Sequence, residues 1–315
     1  MVDVPDVKPD ALAVVSSEAD SFARSLPAQA QADFVRCGAG SQPSVVEQAV
    51  IGDLTVSHIG FGFDVRSHIE IDDSSFAVAR IIAAPPGARW GDFDLVAGQV
   101  RSLGAARTHL GINPAGVETL AVVIDADQLG AAADLLGCTV DPRVMAGPLA
   151  GSPQFDQAFD EISDLLAHPT ASPDVTTRCR DRLLAAIANN AGESNQSTSR
   201  SFDSSERIVT QCLDYARSIS MWNPSTVELC RVTGVSDRRV RSAFIDVFDM
   251  PAIHYFRLAG LSEARRLFRE AETDEKSVTA VANRLGFFHL GRFARYYRQA
   301  FGEYPSDTLQ ARLAS

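Results

Sequence analysis

Between Gly286 and Gln310 the chain reads GFFHLGRFARYYRQAFGEYPSDTLQ. Phe293, Tyr297 and Phe301 recur every four residues, so a helix gathers them on one face, while Arg292 and Arg295 fall on a stripe turned away from it. A helix with a packed aromatic face and a guanidinium face suits a phosphate backbone and the base edges beside it. Whether it serves that purpose depends on what precedes it.

The same design occurs once more upstream. In STVELCRVTGVSDRRVRSAFIDVF, Ser225 and Glu228 form the spacing of a capping box, and a short helix stops at Gly234. Ser236 then caps a second helix running from Asp237 toward Phe248. Val240, Phe244 and Val247 turn inward on that helix, and Arg238, Arg241 and Ser242 turn outward near its N-terminal half. Helix, glycine turn and helix make a helix-turn-helix unit, whose second helix meets base edges with its first residues. A long helix over about 252–272 follows, with Phe256, Leu261, Ala264 and Leu267 facing a core. Then SVTAVANRLGFFHLGRFARYYRQAF repeats the unit, its turn glycine 52 residues after the first. Two such units with outward arginines at one phase are far more specific than one; a plain helical bundle with solvated arginines is the competing explanation.

Composition sharpens this. The net charge of −11 argues against nucleic acid until it is divided along the chain. From Asp203 onward there are 16 basic and 14 acidic residues, so the acidity lies in the first two thirds. The arginines of the last third cluster, as at Arg238, Arg239 and Arg241, and a local basic face matters more to DNA than the sum. Only Lys8 and Lys276 are lysines, as a genome biased toward arginine codons would give. The five scattered cysteines lack CxxC or metal-finger spacing, which fits reduced thiols in a cytoplasmic protein. No signal-peptide pattern and no apolar run of membrane-spanning length is present, so no membrane partner is expected.

Residues 1–190 read as a β-rich barrel or sandwich with trailing helices. A short helix is expected over 17–26, and alternating segments with Gly and Pro breaks fill 45–124. Three amphipathic helices follow, beginning at Asp125, Phe155 and Thr176, which either cap the strands or form a seam between two copies. His58, His68 and His109 are too far apart for a metal site, so neither metal nor cofactor is expected. Arg89 and Trp90 are candidate ligand-pocket residues, with the indole as an apolar wall. No nucleophile with a base occurs, and no catalytic residue is assigned. The Ser-rich stretch 191–205 reads as a linker, and 206–315 as an all-α domain with two helix-turn-helix units. The chain is thus an α+β protein of two domains. An enzyme with a barrel catalytic domain and a helical accessory domain is the alternative, and it lacks any catalytic constellation.

The segments GVSDRRVRSAF, LSEARRLF, SVTAVANRLGF and FARYYRQAFGEYPSDTL together resemble the DNA-binding domain of the AraC/XylS family of bacterial transcription regulators. The resemblance covers about the last 100 residues. It implies a C-terminal domain of about seven helices, two of them recognition helices entering successive major grooves of double-stranded DNA. It implies Arg238, Arg241 and Ser242 as the first reading set and His289, Gly291, Arg292 and Arg295 as the second, with the helix start at Ser236 holding phosphate and Arg239 in the same basic cluster. It further implies a first domain that binds a small-molecule effector, as in some members, or only dimerises, as in others, and RNA polymerase as a partner of an activator; the helices in 125–190 are the candidate homodimer seam. Asp249 stands where the family has Gly, Ala252 where it has Pro, and Gly260 where an Arg is common.

Overall fold

The computed structural model describes residues 12–16, 30–38, 43–51, 53–104, 107–142, 145–167, 172–190, 200–270 and 277–313. The helix expected over 17–26 lies outside them. Among the described residues twelve strands form two antiparallel sheets, a sandwich and not a closed barrel. The larger sheet has β1 (Leu12–Ser16), β3 (Ser44–Ile51), β4 (Leu54–Gly60), β6 (Ser75–Ala83), β9 (Val100–Leu103), β11 (Glu118–Asp125) and β12 (Gly147–Pro148), in the order β1-β3-β4-β11-β6-β9-β12. The smaller has β2 (Ala30–Arg36), β5 (Val65–Ile71), β7 (Arg89–Trp90), β8 (Phe93–Asp94) and β10 (Arg107–Asn113), in the order β2-β5-β10-β7-β8.

Alternation along the strands sorts the side chains into layers. On the larger sheet Val56, Phe76, Val78, Val100, Leu120, Val122 and Ile124 point to one face. There they meet α1 (Ala126–Leu135), α2 (Pro153–Ala167) and α3 (Pro173–Asn190) through Leu129, Phe155, Phe159, Ile162, Leu183 and Ile187. These trailing helices therefore cover the sheet. Asp125 caps α1 by accepting from the amides of Asp127 and Gln128. The opposite face of the sheet packs on the smaller one through Phe34, Phe61, Phe63 and Ile81.

Seven helices follow among the described residues: α4 (Arg200–Ser218), α5 (Thr226–Thr233), α6 (Asp237–Phe248), α7 (Ala252–Arg269), α8 (Val278–Arg284), α9 (Leu290–Phe301) and α10 (Pro305–Leu313). Helix α4 begins at Arg200, so residues 200–205 of the expected linker are helical. Two cores divide the domain. Phe244, Phe248, Tyr255 and Phe256 join α4 to α7 in the first, and Phe268, Phe287, Phe293 and Tyr297 join α7 to α10 in the second. The family's arginine position is Gly260 here because Phe287 lies on it: a Cβ would sit 2.8 and 2.9 Å from that ring and 3.2 Å from the Trp222 Cβ.

The smaller sheet is a partition. Its inner face looks at the larger sheet, and its outer face, with Val35 and Leu110, joins the first helical core.

Candidate nucleic-acid interface

The two helix-turn-helix units superpose in sequence with an offset of 53, not the 52 of their turn glycines, because one more residue separates the second glycine from the helix that follows it. Helices α6 and α9 are both 12 residues long. Val240 and Phe293 correspond and are buried, as do Phe244 and Tyr297. Each helix ends on a left-handed residue, Asp249 with φ 55° and Gly302 with φ 78°. Asp249 thus takes the conformation for which the family uses Gly. The buried Tyr297 hydroxyl lies 2.9 Å from Thr308 Oγ1, fixing α9 on α10.

In the first unit Ser225 caps α5 in a complete capping box with Glu228, and Gly234 closes that helix in the left-handed conformation. Ser236 holds the N-cap position of α6 with extended backbone and makes no side-chain cap bond. Arg238 and Arg241 are exposed, and Ser242 is half-buried. Arg239 turns away from them. Its guanidinium donates to Ser205 Oγ at 3.2 Å and lies 3.7 Å from Asp246 Oδ2. Sequence spacing carried no sign of this, since Ser205 belongs to another helix.

In the second unit His289 is the N-cap residue and is exposed, as are Gly291, Arg292 and Arg295. A Cβ at Gly291 would meet nothing within 4 Å. The Arg295 guanidinium rides 5.3 Å over the Tyr296 ring. Hydrogen bonding from Arg295, then the charge of Arg257, hold that phenol below its ordinary range. Arg298, one turn on, donates to the Tyr304 hydroxyl at 2.5 Å.

The partition sheet grips the end of α6. Arg66 Nε donates to the carbonyl of Phe248 at 2.8 Å, and Arg89 donates to the carbonyls of Asp246 and Val247. Two guanidinium groups thus occupy the negative end of the helix dipole. Beside them Arg217 of α4 donates to Asp33, Glu70 and His68 Nδ1. Burial, then Arg217 and His109, push His68 down to about 3, so it is neutral and can accept. Sequence reading missed these contacts, because single arginines on strands have no distinguishing pattern.

Arg89 and Trp90 face opposite ways, as neighbours on a strand must. Arg89 meets α6, while Trp90 lines a cavity of about 60 Å³ between the sheets. Trp90 Nε1 donates to Asn113 Oδ1 at 2.8 Å, and Asn113 Nδ2 to Ser67 Oγ at 2.9 Å. Gly111 makes room for the indole: a Cβ there would lie 2.7 Å from it. No helix among the described residues is long and apolar enough to cross a membrane.

A family described as a helix-turn-helix domain matches residues 229–311. The XylDLEGF operon transcriptional activator of Pseudomonas putida is 29% identical over 151 residues, 48% of this chain and 45% of that protein. The probable thc operon regulatory protein of Rhodococcus erythropolis is 30% identical over 103 residues, 33% of this chain and 31% of its own. The chain therefore spans about half or less of the length of these relatives. A solved probable AraC family transcriptional regulator from Rhodopseudomonas palustris is 36% identical, matching 34% of this chain and 97% of that one, with a TM-score of 0.30. The C-terminal domain is thus a helix-turn-helix domain, similar in sequence to those of operon transcriptional activators.

Proposed function

We propose that the protein is a sequence-specific DNA-binding transcription regulator that reads two successive major grooves and is controlled through its sheet domain. The observation that carries this is the equal phase of α6 and α9: matched buried anchors, matched left-handed ends, and arginines exposed on both. Arg238, Arg241 and Ser242 form the first reading set, and His289, Arg292 and Arg295 the second, with Gly291 allowing close approach. Arg239 serves α6 from its flank. The sheet domain exerts control through Arg66 and Arg89, which hold α6 from the far side of the sheet that walls the cavity. A small effector in that cavity, against Trp90, would act on α6 through one strand's thickness.

RNA polymerase is the downstream partner, a reading supported by the relatives' description as operon activators. A second copy docks on the outer surface of α1 and α3, where Leu135, Leu136 and Val175 are exposed. The protein works in the cytoplasm.

Selection of DNA sites by the full chain tests this. Protection should fall in two blocks about 10 base pairs apart. Arg292→Ala or Arg295→Ala should each weaken the selected site by about 1–3 kcal/mol and relax base preference in one block only. Unchanged binding by both variants would remove the second reading set.

A further inference from the structure

Phe287 and Phe288 lie side by side in the turn before α9 and meet opposite fates. Phe287 is buried: its ring stands 5.1 Å from that of Phe293, and its amide donates to the Ala282 carbonyl at 2.8 Å. Phe288 is 72% exposed. The first unit shows why. There the residue before the N-cap is Val235, and it packs on the core that holds Val240, the fourth residue of α6. Those are the two positions of a hydrophobic staple. In the second unit the fourth residue of the helix is Phe293, and Phe287, supplied by the longer link after Gly286, already covers it. Phe288 holds the staple position and is left outside.

Leaving that ring in water forgoes the burial energy of one of the largest apolar side chains. Its surroundings narrow what can cover it. His289, Gly291 and Arg292 follow it directly and are exposed, and the first turn of α9 has no acidic residue. The ring thus stands at the N-terminal end of the helix, the end by which a recognition helix meets base edges. A cationic setting of this kind favours a polyanion over an apolar protein surface. Arg292 and Arg295 offer hydrogen-bond donors only, and guanine O6 and thymine O4 are both acceptors, so one donor cannot tell the two apart. The 5-methyl group in the major groove belongs to thymine, and an apolar side chain beside the donors recognises it.

We propose that Phe288 is a specificity-determining residue of the second reading set, its ring set against the 5-methyl group of a thymine in the major groove. This rests on the DNA reading proposed above and names a base that the second block requires.

The test is fluorescence anisotropy of the full chain with a labelled duplex carrying the DNA site it selects, and with copies in which each thymine in turn is replaced by deoxyuridine, which pairs alike and lacks the methyl. One replacement in the second block should weaken binding about four-fold, the worth of one buried methyl-sized group. In Phe288→Ala the same replacement should change nothing, and Phe288→Leu, still apolar, should keep part of the effect. Phe288→Ala should keep the melting temperature of the parent, because the ring lies outside the core. It should also keep the parent's salt dependence of binding, because no phosphate contact is lost. A selected second block without thymine, binding indifferent to every deoxyuridine, or an effect that survives Phe288→Ala would each overturn this contact and leave the DNA reading standing. A chain that selects no DNA site would overturn the DNA reading and the contact with it.

Discussion

Gly260→Ala and Gly130→Ala are the same substitution in two helices, and they should move stability in opposite directions. Alanine favours a helix interior over glycine by about 1 kcal/mol. At Gly130 in α1 a Cβ meets nothing within 4 Å, so that gain should appear undiminished. At Gly260 in α7 it would lie 2.8 and 2.9 Å from ring atoms of Phe287. Carbon contacts settle at 3.5–4.0 Å, so the ring must retreat by roughly 0.8 Å. It has little room to do so. The Phe287 amide is tied to the Ala282 carbonyl at 2.8 Å, and its ring stands 5.1 Å from that of Phe293. Overpacking of this kind costs about 2–3 kcal/mol, which outweighs the helix gain and leaves a net loss of about 1–2 kcal/mol. Urea unfolding followed by circular dichroism reads both variants. The displaced ring also presses on Phe293, the anchor of α9, so Gly260→Ala should weaken DNA binding in the second block more than in the first. A midpoint for Gly260→Ala at or above that of the parent would refute the packing account.

Asp249→Gly should raise stability by about 0.5 kcal/mol, read from the same urea midpoints, since a left-handed residue strains any Cβ. Arg66→Ala with Arg89→Ala removes charge-assisted bonds of about 1.5–3 kcal/mol each; urea unfolding should split into two transitions as the sheet domain uncouples from α6, and a single unchanged transition would contradict the clamp. Ser225→Ala should cost about 1 kcal/mol of cap energy. The Ser225 hydroxyl and amide hold Glu228 below its ordinary 4.5. A lowered folded value means that this part of the cap is present above 4.5 and is lost as the pH falls through the folded value. The melting-temperature gap between Ser225→Ala and the parent should therefore narrow in acid.

The helical domain was legible because its signals are local. Ser225 with Glu228, Gly234, and the helical spacing of Val240, Phe244 and Val247 each act within one or two turns of chain. The inward residues predicted on α7, Phe256, Leu261, Ala264 and Leu267, are all buried. The sheet domain gave up its strands but not their partners, since strand order is set by contacts distant in sequence. Local reading also cannot assign a strand residue to a face when the pairing is unknown. Arg89 and Trp90 were grouped as pocket residues although strand alternation alone separates them; which of the two faces inward depends on the pairing, and the sandwich sends Arg89 outward and Trp90 inward. Arg239 failed to show its direction because Ser205, which holds it, lies 34 residues earlier.

Arg66 and Arg89 take hold of α6 by its last carbonyl oxygens, and every helix ends in carbonyl oxygens whatever its side chains are. The grip is therefore indifferent to the side chains exposed on α6, those that the proposed function turns toward DNA. Under the function proposed above, Arg238, Arg241 and Ser242 could be exchanged in the course of descent, retargeting the protein to a new operator, with the hold of the sheet domain on α6 inherited unchanged. The same indifference offers a rule for building chimaeric regulators from this sheet domain: a foreign reading head needs a first recognition helix of matching length, not of matching sequence.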